Sequence, residues 1–410
     1  MEFLKVDTLE VAREKLLDSV KGQFISTEMI PLESTLGRIV AEDIFVPEDV
    51  PAFRRSTVDG YAVLSADTVA ASESIPVFLT LKGRVDIGLP ALISVGSGEC
   101  VEVPTGGMLP EGADAVVMCE YTEAFGDDGM SIEKGVAFGE NVVLLGEDAK
   151  LGDLLLKHGK QILPQDVGAL AACGITSIPV YIPPKVTIIS TGDELVPPNK
   201  QPEYGQVRDI NSHALTALAH KHGFTVLGVS VLPDDENILL SAVQTAMKTS
   251  DIVIVSGGSS KGKKDLTRPV FDQISTPGVY VHGIAIKPGK PTLLGFDEPS
   301  KILLVGLPGH PVSAMVVFEL LLGWVFRELM CCQANFAIPA KLSCNIASSP
   351  GKLTCWACLL IHSPNGGYIA EPVFGKSGLI TTLTQADGYF ITPRDTEGLL
   401  EGHEVMVHLF

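Results

Sequence analysis

The chain has 410 residues, 46% of them hydrophobic, which favours several domains with sizeable cores over a single one. Its formal net charge of −19 excludes a broad nucleic-acid surface, so any phosphate site has to be a local basic island, supplied by residues such as Lys261, Lys263, Lys264, Lys287 and Lys290. The apolar stretches are interrupted well short of the roughly 20 residues of a membrane span, and the mixed, charged N-terminus does not read as a signal peptide, so a soluble cytoplasmic protein with no membrane partner is expected.

Residues 1–45 read as a helix, VDTLEVAREKLLDSV, with Asp7 or Thr8 as its cap, followed by a short extended segment. From 46 to 149 the pattern is β-rich, with short runs such as IPVFLTLKG, CVEVPTGG and DAVVMCEYTE parted by Gly, Pro and Asp. Helical pattern returns at 150–180 (LPQDVGALAACG), so segments 1–45 and 150–180 are expected to form one discontinuous domain around the β-rich insertion. Residues 181–332 alternate strand and helix, the signature of a doubly wound sheet with right-handed crossovers. Residues 333–410 alternate again as strands (GYIAEPVF, GYFITPR, HEVMVHLF), as in a small barrel or sandwich. The fold class is thus multidomain α/β plus β.

Three Gly- and Pro-marked turns follow one another in the α/β segment: SGGSSKGKKD (Ser256–Asp265), IKPGKP (Ile286–Pro291) and GLPGHP (Gly306–Pro311). The first and third follow DIVIVS and ILLVGL, apolar enough to be buried parallel strands. The third runs into VSAMVVFELLL, read as a helix with Pro311 near its start, where a missing N–H costs nothing. Loops at the carboxyl ends of such strands gather around the ligand; glycine brings backbone N–H groups to an anion and lysine adds charge. A composite anion-binding site is expected there.

Eight cysteines are scattered along the chain, unlike a secreted disulfide framework. Cys355-Trp-Ala-Cys358 is a CxxC, but it stands alone without a second pair, and in LTCWACLLIH it fits a strand whose residues three apart face opposite sides. It reads as structural.

Further motifs are PAFRRSTVDGYAV (Pro51–Val63), VPTGGMLPEGADAVVM (Val101–Met118), GEDA (Gly146–Ala149), STGDEL (Ser190–Leu195), RDINS (Arg208–Ser212) and GKSGLITTLTQADGYFITP (Gly375–Pro393). Each alone is ordinary turn chemistry. Together and in this order, over essentially the whole chain, they closely resemble the molybdopterin molybdenumtransferase (MoeA) family, which includes the E domain of gephyrin. The resemblance implies a discontinuous helical domain, a β-rich insertion, a molybdopterin-binding α/β domain and a C-terminal β barrel. It also implies an elongated homodimer, with the site between the α/β domain of one subunit and other domains of its partner.

The implied activity inserts molybdate into adenylylated molybdopterin with Mg2+ and releases AMP, between a molybdopterin adenylyltransferase and client molybdoenzymes. The acids carried over for the cation are Asp59, Asp148, Glu194 and Asp265, of which Asp59, Glu194 and Asp265 also activate the water or oxyanion. Thr105 would donate to phosphate, Lys287 and Lys290 hold molybdate or phosphate, and Gly257, Gly258, Ser260 and Gly309 line the anion loops. Pro308 and Pro311 stiffen the last loop, and Ser377 is the matched C-terminal contact.

Apart from the resemblance, Asp59 equally stabilises its own Asp-Gly turn, Glu194 suits a helix start, and Asp265 caps a helix from Leu266. The chain departs from the family pattern in several places. Arg55 replaces the usual Asn, NVVLLGED lacks arginines, Lys261, Lys263 and Lys264 precede Asp265, His310 replaces Asn, and Trp356 and Ala357 stand near an expected arginine. A lost guanidinium removes a two-bonded phosphate contact. A diverged paralogue that binds and hands over the molybdenum or tungsten cofactor is the alternative function.

Overall fold

The computed structural model describes residues 6–257, 266–332 and 336–410. In the α/β domain the strands are β1 (Lys185–Thr191), β2 (Thr225–Leu232), β3 (Ile252–Ser256), β4 (Pro277–His282), β5 (Leu293–Asp297) and β6 (Ile302–Leu307). They form one sheet in the order β2-β1-β3-β6-β5-β4. The first four are parallel; β5 and β4 each run antiparallel to their neighbour, so the sheet is mixed at one side. Every residue of β3 and β6 is buried, which is why both read as unbroken apolar runs.

Side-chain alternation splits the sheet into two cores: Ile252 and Ile254 enter one, Val253 and Val255 the other. Helices α1 (Asn211–Lys221) and α4 (Pro311–Phe318) cover the first with Leu215, Leu218, Val317 and Phe318. Helices α2 (Glu236–Ala246) and α3 (Thr267–Ile274) cover the second with Leu239, Val243, Val270 and Phe271. The Asp235 carboxylate caps α2 by accepting from the Ile238 N–H at 3.0 Å, and Pro311 opens α4.

The run VSAMVVFELLL is not one regular helix. After α4 it widens into a π turn at Glu319–Gly323 before the helix Trp324–Leu329. Glu319 is buried there; it accepts from Lys221 Nζ at 3.0 Å and lies 2.9 Å from His222 Nε2. Burial pushes its carboxyl up, but the bonds and charges of His222 and Lys221 outweigh burial and hold it at about 2. Stability from this depressed carboxyl is complete above the ordinary carboxylate range near 4 and is lost as pH falls toward 2. Glu319→Gln is expected to cost about 3 kcal/mol in denaturant unfolding at neutral pH and to flatten the acid limb of the stability profile. An unchanged midpoint would refute the pair's role.

Thr8 caps the first helix, Leu9–Val20, by accepting from the Val11 N–H at 3.3 Å, while Asp7 pairs with Lys15 at 2.7 Å. This helix buries Leu9, Ala12, Leu16 and Val20 in the α1/α4 core. The strand Thr27–Pro31 instead pairs antiparallel with Ser177–Tyr181, around a separate cluster that includes Ile162, Leu170 and Val180. The first 45 residues thus divide their contacts between two units. The insertion forms a six-stranded sheet in which Gly60–Val63 lies between Ala115–Met118 and Glu99–Val103.

The C-terminal strands close a five-stranded barrel, one of the two architectures the alternation allowed. Leu353–His362, Tyr368–Pro372, Ala337–Leu342, Glu404–Leu409 and Gly388–Thr392 follow one another, and the last pairs back to the first. Within Leu353–His362, Cys355 faces the α/β core and Cys358 the barrel core, so the two thiols do not converge. Burial pushes both up, Cys358 to about 12, which keeps them protonated. Among the described residues no helix is long and apolar enough to cross a membrane.

Candidate functional site

The carboxyl ends of β1, β3 and β6 open on a cavity of about 1460 Å³ whose far wall is the barrel. Ser190, Thr191 and Glu194 come from β1 and its loop, Ser256 and Gly257 from β3, and Pro308, Gly309, His310 and Pro311 from β6 and α4. The Lys287–Pro291 turn and the barrel segments around Lys352–Ala357 and Val373–Gly378 complete it.

Close backbone packing fixes the floor. Gly257 has φ +113°, and a Cβ there would stand 2.3 Å from the Thr191 carbonyl oxygen. Gly257 therefore lets the chain leave β3 directly against β1. Asn211, at the start of α1, donates from Nδ2 to Ser256 Oγ and to the Gly309 carbonyl, each at 2.8 Å, tying the first and third turns together. Ser190 Oγ, Thr191 Oγ1 and Asn211 Oδ1 are buried beneath the cavity with no hydrogen-bond partner among the described residues. Gly257→Ala is expected to lower stability by about 2 kcal/mol in denaturant unfolding. A wild-type midpoint would show that the floor tolerates a side chain.

The lysine turn is held from both sides. The Ile284 N–H donates to the Lys290 carbonyl at 3.0 Å, and Thr292 Oγ1 donates to the Gly289 carbonyl at 2.7 Å. On the other side Ile286 and Lys287 pair in parallel with Leu353 and Thr354, so the turn doubles as an edge of the barrel sheet. A second clasp joins the domains: His310 Nδ1 lies 2.8 Å from Ser377 Oγ, and the Val312 N–H donates to the Ser377 carbonyl at 3.2 Å.

Charge in the cavity runs against that of the chain. Arg208, Lys287, Lys290, Lys352 and Lys376 line it, against Glu194, Asp209 and Asp234. Asp209 is engaged locally, accepting from the Ser212 N–H at 3.2 Å and from the Ser212 hydroxyl. A cationic, glycine-bordered cavity in a protein of net charge −19 is built to draw in anions.

Of the residues singled out from the sequence, Glu194, Gly257, Lys287, Lys290, Pro308, Gly309, Pro311 and Ser377 meet in this cavity. Gly258, Ser260 and Asp265, with Lys261, Lys263 and Lys264, lie outside the described residues. Asp59, Thr105 and Asp148 do not line it. Asp59 and Thr105 lie together on the insertion domain, where Asp59 Oδ1 accepts from the Thr105 N–H at 2.7 Å. Gly60 beside it allows close strand contact, since a Cβ would sit 2.0 Å from the Val117 carbonyl oxygen. Asp59 and Asp148 are both exposed. The sequence reading missed Lys352, Lys376, Phe374 and Asn211 as lining residues; Asn211 and Lys376 sit inside quoted motifs, which was the available signal.

The fold and cavity define an α/β protein with a lysine-lined cavity at its strand ends, closed by a C-terminal barrel. Residues 8–174 match the MoeA N-terminal region (domain I and II), 187–327 a probable molybdopterin binding domain, and 339–410 the MoeA C-terminal region (domain IV). The chain is 34% identical over 388 residues to the molybdopterin molybdenumtransferase of Bacillus subtilis (strain 168), covering 93% of this chain and 90% of that protein. It is 32% identical over 408 residues to that of Haemophilus influenzae, covering 98% of each. The crystal structure of the molybdopterin biosynthesis moeA protein from Pyrococcus horikoshii OT3 superposes with a TM-score of 0.82 at 33% identity, over 99% of this chain and 100% of that one. The chain belongs to the molybdopterin molybdenumtransferase (MoeA) family.

Proposed function

We propose that this chain inserts molybdate into adenylylated molybdopterin and releases AMP. The observation that carries the reading is the meeting of both lysines of the KPGKP turn with Gly257, Gly309 and Ser377 in one cavity. Lys287 and Lys290 hold the oxyanion and the substrate phosphate, the two glycines let backbone approach it, and Ser377 contacts it from the barrel side. The same reading makes the enzyme cytoplasmic, supplied by a molybdopterin adenylyltransferase and serving client molybdoenzymes.

Among the described residues no three His, Cys, Asp or Glu side chains converge to hold a metal ion. Of the three carboxylates lining the cavity, Glu194 fits Mg2+, which takes one or two carboxylates together with substrate phosphates. When bound, the ion would neutralise charge on the phosphoanhydride. Asp59, Thr105 and Asp148 come to such a site from a second copy of the chain in a homodimer.

The test is AMP release from adenylylated molybdopterin, with and without molybdate and with and without Mg2+. Molybdate-dependent release supports the transferase. Tight binding without release would replace it with a carrier that hands the cofactor on, the reading favoured by the loss of arginine near Trp356.

A further inference from the structure

The barrel wall of the cavity carries two aromatic rings that no phosphate or oxyanion requires. Trp356 and Phe374 both line it, with ring centroids 6.0 Å apart and planes at 82°. The indole is fixed on one side, because Nε1 donates to Thr392 Oγ1 at 2.9 Å and Thr392 is fully buried. Phe374 is fixed through its backbone: the preceding Val373 N–H donates to the Ala357 carbonyl at 2.8 Å, and the following Gly375 packs so closely on Thr382 that a Cβ would lie 2.3 Å from Oγ1. Yet Phe374 as a residue is 64% exposed.

An edge-to-face pair covers at most one face of one ring, so this wall offers an uncovered aromatic face to the cavity. Lys352 and Lys376 flank the aromatics in sequence, and Lys287 pairs through its backbone beside the same barrel strand. A flat ring bearing a phosphate satisfies both features: ring on the aromatic wall, phosphate among the lysines. An inorganic oxyanion uses only the second.

We propose that Trp356 and Phe374 form a stacking wall for the planar nitrogen heterocycle of the substrate, the pterin or the adenine. This assignment rests on the phosphate reading of the cavity given above. Stacking on an aromatic side chain tolerates any flat π system, which makes adenine and pterin one chemistry at this wall.

The experiment titrates the full chain by calorimetry with AMP, neopterin monophosphate, ribose 5-phosphate and molybdate. In a Trp324→Phe background, Trp356 is the one remaining tryptophan of two, and its emission reports AMP at the wall. One or both ring-bearing ligands should bind at least fivefold more tightly than ribose 5-phosphate, and where AMP is the preferred one its binding should quench Trp356. Phe374→Ala should weaken that ligand about fivefold to fiftyfold and leave ribose 5-phosphate unchanged, while Phe374→Tyr retains affinity. Preference for AMP or for the pterin assigns the ring. Equal affinity of all three phosphates, or full affinity in Phe374→Leu, overturns the wall while leaving the phosphate cradle intact. Failure of every anion, molybdate included, overturns the cradle and the wall with it.

Discussion

Glu194→Gln is expected to slow AMP release by about a hundredfold to a thousandfold, the scale seen when one preorganised charge-stabilising group is removed, with little change in the unfolding midpoint. Glu194 lies in the loop after β1 and lines the same cavity as the lysine turn. Its backbone carbonyl accepts from the Val207 N–H at 2.8 Å, a bond the substitution keeps. Its side chain is exposed, where substitution ordinarily changes stability by no more than about 0.5 kcal/mol. Gln preserves the shape and removes the charge that would face a cation. Steady-state turnover measured with saturating molybdate checks this; a rate within twofold of wild type would remove Glu194 from the chemistry.

Mixing Asp59→Asn with Glu194→Gln is expected to restore activity that neither variant has alone. Asp59 stands on the insertion domain and does not line the cavity of its own chain, whereas Glu194 does. In a two-fold dimer with sites shared between subunits, a mixed pair has one doubly altered site and one intact site. Random pairing makes half the dimers mixed, so about a quarter of wild-type activity returns. The measurement is AMP release after co-expression or after dissociation and reassociation of the two variants. No recovery from verified mixed dimers would place a complete site in each chain and remove Asp59 from it.

The α/β core was legible because its physics is local. Strands buried on both faces have to be apolar at every position, and β3 and β6 are. Gly257 after β3 and the GLPGHP turn after β6 were legible for the same reason, and their position at strand ends led to the cavity. What could not be read depends on pairing across distance. Nothing in Ile286 and Lys287 announces that they join Leu353 and Thr354, and nothing in a lone Phe374 announces a cavity wall. The buried Glu319 in the π turn meets a partner nearly a hundred residues away in sequence, His222. Asp59 and Asp148 carry motif signal as strong as Glu194, but motif order is silent on which residues share a pocket within one chain.

The two-residue seam between the lysine turn and the barrel bears on how such a protein could be altered by recombination. A graft of the barrel alone, residues 337–410, would bring a new edge strand to an old turn. The Ala285 carbonyl would then depend on the register of the grafted strand to replace the Leu353 N–H that now donates to it at 2.9 Å. The heritable block is therefore the barrel together with Ile286–Pro291, although all four helices α1–α4 of the α/β sheet lie outside it. Chimeras that respect this block should keep their oxyanion grip, and those that cut through the seam should fold and lose it.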